Sequence, residues 1–210
     1  DLFMQPRPAD FCASVARAQR VSESAIGPPA RGQPLPLSFA QQRLWFLQQF
    51  DPQSHAYNLP RAIALKGPVD ARALEAALNR VIDRHDILRT AFRDTDGTPL
   101  QVIEPGARLT LLEEDLSTLD NQQRDLQLQQ RIRQHATQPF DLRQAPLIRS
   151  TLLKQAEQDY VLLLNMHHIV SDAWSNPILI HDLASALREP GQALPRPAIQ
   201  YADYAQWQRQ

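Results

Sequence analysis

The stretch YVLLLNMHHIVSDAW, residues 160–174, decides how the chain is read. Tyr160 to Met166 is an almost unbroken apolar run. It is too short to cross a bilayer and suits a strand covered on both faces. The run ends in His167 and His168. Successive strand side chains point to opposite faces, so the two rings cannot share one job: one faces a cavity and the other packs into the structure. Asp172 lies four residues past the second histidine, close enough for a turn to bring its carboxylate back toward the ring or toward an arginine. Spacing alone leaves both roles open.

Working outward, residues 147–154 and 159–166 flank AEQD and predict a hairpin that delivers the histidines. Trp174 to Leu187 predicts a helix with Ile178, Leu179, Leu183 and Leu187 inward, and Pro177 fits only within its first turn. Upstream, LSFAQQRLWFLQQF predicts a core helix over 38–50 with Ser38 as N-cap. YNLPRAIALK, residues 57–66, predicts a strand. Leu74, Ala77, Leu78, Val81 and Ile82 form the apolar face of a helix, and His85 continues that face as a hydrogen-bonded core or edge residue. Residues 87–93 and 100–104 flank the hairpin signal Asp96-Gly97, and 108–114 predict another strand. The Gln- and Arg-rich stretch 117–138 reads as a mostly exposed helix beginning near Ser117. The pattern is α/β with a mixed or antiparallel sheet.

The chain has 210 residues, 43% hydrophobic and 21% charged, with a net charge of −1. That balance suits a soluble globular protein and gives no electrostatic footprint for nucleic acid or an anionic membrane. Cys12 is the single cysteine, so neither an intrachain disulfide nor a cysteine-based zinc site is expected. No signal peptide or transmembrane segment is apparent, and a cytoplasmic location is expected. Residues 1–21 read as a small helical unit. Residues 22–36, SESAIGPPARGQPLP, have a linker's composition and mark a domain boundary.

A neutral imidazole exchanges a proton near physiological pH, which makes the histidine pair the candidate centre. A metal site built from His167, His168 and Asp172 is the weaker reading, because adjacent strand residues diverge. No G-x-S-x-G elbow is present, and Cys12 lies in the N-terminal unit, so the nucleophile must arrive with the substrate. His55, His135 and His181 read as surface bystanders.

MHHIVSDAWS resembles the HHxxxDG signature of the condensation domains of nonribosomal peptide synthetases. Three further stretches resemble that family's motifs in order: LSFAQQRLWFLQQF at 37–50, RHDILRTAF at 84–92 and YADYAQWQRQ at 201–210. The resemblance covers 37–210 and implies the N-terminal lobe of a chloramphenicol-acetyltransferase-like fold, with a C-terminal lobe still to follow. The wording of the motifs resembles subtypes that join an L-configured donor to an L-configured acceptor. DLFMQPRPADFCASVARA is similar to the last helix of a peptidyl carrier protein, without that protein's phosphopantetheine-bearing serine motif.

The resemblance implies amide formation between two carrier-bound thioesters, with His168 at the active site as general base or as the group that positions the amine. His167 and Asp172 become supports, Asp172 through an arginine, and Arg89 a candidate for buried ion pairing near the site. No cofactor is bound directly; substrates ride on phosphopantetheine arms. The implied partners are upstream and downstream carrier domains, an adenylation domain and the second lobe. Ala173 departs from the signature's glycine, which supplies either an unusual backbone angle or room for the arm. Two alternatives stand beside this reading: a non-catalytic carrier-docking element, and an epimerase or other acyltransferase of the same fold.

Overall fold

The computed structural model describes residues 7–9, 12–13, 26–27 and 34–210. Most of the small unit over 1–21 and most of the linker over 22–36 lie outside the described residues; Cys12 is described and is exposed.

The order of elements is β1 (Leu35–Pro36), α1 (Phe39–Phe50), β2 (Asn58–Lys66), α2 (Ala71–Arg84), a 3-10 turn (Asp86–Arg89), β3 (Thr90–Thr95), β4 (Thr98–Ile103), β5 (Leu111–Asp115), α3 (Asn121–Thr137), β6 (Ile148–Ala156), β7 (Asp159–His167), α4 (Ser175–Arg188) and α5 (Tyr201–Trp207). The principal sheet runs β2-β7-β6-β5. Only the β5–β6 pair is parallel, so the sheet is mixed. A smaller sheet, β1-β4-β3, carries the hairpin turned by Asp96 (φ 52°) and Gly97 (φ 79°), two consecutive left-handed residues as a type I′ turn requires.

Helices cover both faces of the principal sheet, which is why β7 reads as a continuous apolar run. On one face Leu162, Leu164 and Met166 pack with Leu74, Leu78 and Val81 of α2 and Leu179 and Leu183 of α4. On the other, Val161 and Leu163 pack with Leu153 and with Leu128 and Ile132 of α3. The predicted apolar face of α2 is the buried one.

Three boundaries differ from expectation. The Gln-rich helix begins at Asn121, capped by Asp120, whose side chain accepts from the Gln123 amide. Ser117 instead donates its hydroxyl to Asp115. Residues 87–89, expected to start a strand, form the 3-10 turn. Strand β5 starts at Leu111, not Arg108. Ser38 caps α1 as expected and forms a reciprocal box with Gln41.

Candidate functional site

The histidines sit where β7 leaves the sheet. The register pairs His167 with Asn58 of β2, and the His168 amide donates to the Tyr57 carbonyl at 2.8 Å. Both backbones are thereby fixed before the chain turns.

His167 is 1% exposed. Its Nδ1 accepts the Ile169 amide at 3.1 Å, so the neutral ring carries its proton on Nε2, which is buried without a partner. Phe140 meets the ring edge-on at a centroid distance of 6.1 Å. Burial, reinforced by the neighbouring His168, pushes its pKa down to about 4. This ring stays neutral and serves as packing.

His168 is exposed. Its Nδ1 lies 2.7 Å from the Ser171 carbonyl oxygen. A carbonyl only accepts, so Nδ1 carries the hydrogen, and Nε2 of the neutral ring keeps a lone pair at the surface. The two rings thus hold opposite tautomers, one closed inside and one open to a reacting group.

Asp172 does not meet an arginine. Its carboxylate accepts from Ser175, the amide at 2.8 Å and the hydroxyl at 2.7 Å, both to Oδ1, and from the Trp174 backbone. These bonds hold the carboxyl below the usual carboxylate range, the Ser175 hydroxyl contributing most. Asp172 therefore caps the start of α4. The arginine that comes to this corner, Arg61 of β2, donates to Asn176 Oδ1 at 2.8 Å, and Asn176 in turn donates to the Asp172 carbonyl at 3.0 Å. Arg89 bonds Asp86 within its own 3-10 turn, and Arg196 reaches the same carboxylate. No described hydrogen bond or ion pair ties Arg89 to the histidines.

Ala173 is exposed, and Asp96 is the one non-glycine residue with positive φ among the described residues. Alanine at 173 is thus unstrained, and of its two expected effects only the steric one remains. His135, expected at the surface, is buried in the last turn of α3, and burial pushes its pKa down to about 4. Asn165 and Asn58 hold this helix end, donating to the His135 carbonyl at 2.7 Å and the Ala136 carbonyl at 2.8 Å. His55 and His181 are exposed, and His85 bonds Asp182 at 2.7 Å.

Sequence reasoning missed Gln41, Asn176 and Ser175. Gln41 is 1% exposed and reaches Gln101 and the Ile169 carbonyl, tying α1 to the histidine loop. Ser175 had a legible signal, the D-x-x-S spacing of a helix cap. Among the described residues no cluster of His, Cys, Asp and Glu can hold a metal ion, and no helix is long and apolar enough to cross a membrane.

A model of the condensation domain matches residues 32–210. The chain belongs to the condensation-domain family. It is 44% identical over 193 residues to a component of the linear gramicidin synthase of Brevibacillus parabrevis, covering 90% of this chain and 2% of that protein. It is 46% identical over 181 residues to a chondramide synthase of Chondromyces crocatus, covering 84% of this chain and 5% of that one. Among solved structures, the X-domain from teicoplanin biosynthesis superposes with a TM-score of 0.74 at 34% identity, over 88% of this chain and 40% of that one. The starter condensation domain of rhizomide synthetase gives 0.71 at 29% identity, over 83% and 43%. The chain thus spans a few per cent of these curated relatives and about two fifths of these solved domains. The similarity supports the chloramphenicol-acetyltransferase-like fold, with its mixed sheet flanked by helices.

Proposed function

We propose that this chain is the N-terminal lobe of a domain that forms an amide between two carrier-bound thioesters in nonribosomal peptide synthesis. The observation that carries the reading is His168: an exposed ring at the end of a buried strand, with Nδ1–H tied to the Ser171 carbonyl and Nε2 open. The acceptor's amine nitrogen attacks the donor thioester carbon, and the C–N bond forms as the carbonyl becomes tetrahedral. His168 Nε2 accepts the amine proton or holds the amine in line. Collapse breaks the C–S bond, and the proton passes to the leaving thiolate. A tethered pair of substrates makes the attack effectively unimolecular.

In this reading His167 and Asp172 support the loop, Asp172 by capping α4, and Arg89 stiffens the turn after α2. Residues 1–21 are the tail of an upstream carrier and 22–36 its linker. Both substrates ride on phosphopantetheine arms, so the domain binds no cofactor itself. Its partners are the two carrier domains, an adenylation domain and a C-terminal lobe, in the cytoplasm. The wording of the motifs favours joining an L-configured donor to an L-configured acceptor.

A docking role without chemistry is the second reading. It is favoured by Ala173 in the signature and by the X-domain neighbour, which has been solved in complex with OxyB. Condensation measured with loaded donor and acceptor carriers on the full-length synthetase separates the two. His168→Ala is expected to lower the rate by at least about a hundredfold. Undiminished product from that variant removes His168 from the chemistry, and no product from the unaltered protein favours docking.

A further inference from the structure

Beneath the histidine loop, between α4 and the 3-10 turn that follows α2, lies a cavity of about 100 Å³. Its walls are aliphatic, made by Leu88, Met166, Val170 and Leu179, with Ile178 at the exposed side. Three polar residues interrupt them: Ser175, whose hydroxyl is given to Asp172, and Ser171 and His85. Ser171, the residue whose carbonyl holds His168, is 7% exposed and its hydroxyl has no hydrogen-bond partner. His85 has its Nε2 held by Asp182 at 2.7 Å, and Arg84 braces the same carboxylate oxygen at 3.0 Å. The carboxylate accepts from Nε2–H, so the neutral ring offers Nδ1 as an acceptor. A buried hydroxyl with nothing to bond is costly, and a row of fixed partners that leaves one imidazole nitrogen unused is the makeup of a binding site.

We propose that this cavity is a subsite for the side chain of one of the two amino acids being joined, and that it takes a small branched side chain bearing a hydroxyl, as in threonine. The proposal rests on the condensation reading of His168. Size supports it: a cavity of about 150 Å³ admits a benzene ring, and the smaller volume here suits a side chain of three or four heavy atoms. Chemistry supports it as well, because the aliphatic walls take the methyl while the substrate hydroxyl donates to His85 Nδ1 and accepts from Ser171. The Ser171 link also joins recognition to chemistry. A side chain seated against that residue bears on the loop segment that fixes the His168 tautomer.

The test varies the side chain on the donor and acceptor carriers separately, through glycine, valine, threonine and phenylalanine, on the full-length synthetase. Calorimetry with the threonyl and glycyl N-acetylcysteamine thioesters on the same protein reads binding without turnover. Threonine is expected to be preferred on one side and bound more tightly than glycine. Ser171→Ala should cut the threonine-to-valine ratio by about tenfold, the worth of one hydrogen bond. Ile178→Trp, at a half-exposed position that tolerates bulk, should lower the threonine-to-glycine and valine-to-glycine ratios. Unchanged ratios in both variants, with equal affinity for the two thioesters, overturn the subsite while condensation itself persists. Selective threonine binding lost in Ser171→Ala, in a protein that makes no product, supports the subsite and sinks the condensation reading instead.

Discussion

Asp172 distinguishes two ways of holding a histidine loop. If its charge were paired with a cation, asparagine would fail there as badly as alanine. As a cap for Ser175, it is replaceable by asparagine, which is as good an N-cap. Asp172→Asn is therefore expected to retain stability within about 0.5 kcal/mol, and Asp172→Ala to lose about 1 kcal/mol, both read from urea unfolding midpoints. Equal losses would restore the ion-pair account. Ala173 makes a second case. Its backbone is unstrained, so Ala173→Gly is expected to lower stability by about 0.4–1 kcal/mol through the freer unfolded chain. A stabilised glycine variant would contradict this. The sequence separates His167 from His168 by strand alternation alone, because that rule needs no tertiary knowledge. It does not tell a carboxylate that meets an arginine from one that caps a helix, since the same spacing serves both.

At the scale of elements, α1 is bound to the site by its first turn. Ser38 and Gln41 close the capping box, Gln41 reaches the Ile169 carbonyl, and the Ser38 hydroxyl lies 3.0 Å from the Tyr201 hydroxyl of α5. Gln41→Ala removes the box and strips a partner from buried Gln101. It is expected to cost about 2 kcal/mol in thermal or urea unfolding, and loss of under about 0.5 kcal/mol would show the contact to be idle. The helix itself was legible from Ser38, but it is not the core helix its apolar count predicts, since Phe39, Phe46 and Phe50 are exposed and its buried residues are Gln41 and Gln48. Its tie to a loop 128 residues away was not legible. Helix α3 shows the opposite limit. Its Gln- and Arg-rich composition reads as a solvated face, which hides the one turn that Asn58 and Asn165 draw against the sheet. Helix ends leave carbonyls unbonded, and the partners that meet them come from strands far away in sequence.

Across the molecule, two buried histidines on the α3 side of the principal sheet set how folding responds to acid. His135 and His167 are both held neutral, with pKa values pushed down to about 4 from an ordinary 6.5. In the unfolded chain each takes a proton near pH 6.5, so from there down to about 4 the unfolded state binds more protons than the folded one. Stability is therefore full above pH 6.5 and falls as the pH drops toward 4, by up to about 3 kcal/mol per ring. Asp141, held low mainly by Arg143, and Asp172 act further down, as pH falls through the carboxylate range. Urea unfolding of the chain between pH 7.5 and 5 is expected to show a falling midpoint, and His135→Gln to flatten that slope by about half. A midpoint independent of pH across this window would show that the folded state takes up as many protons there as the unfolded one, and with it that neither ring is buried neutral.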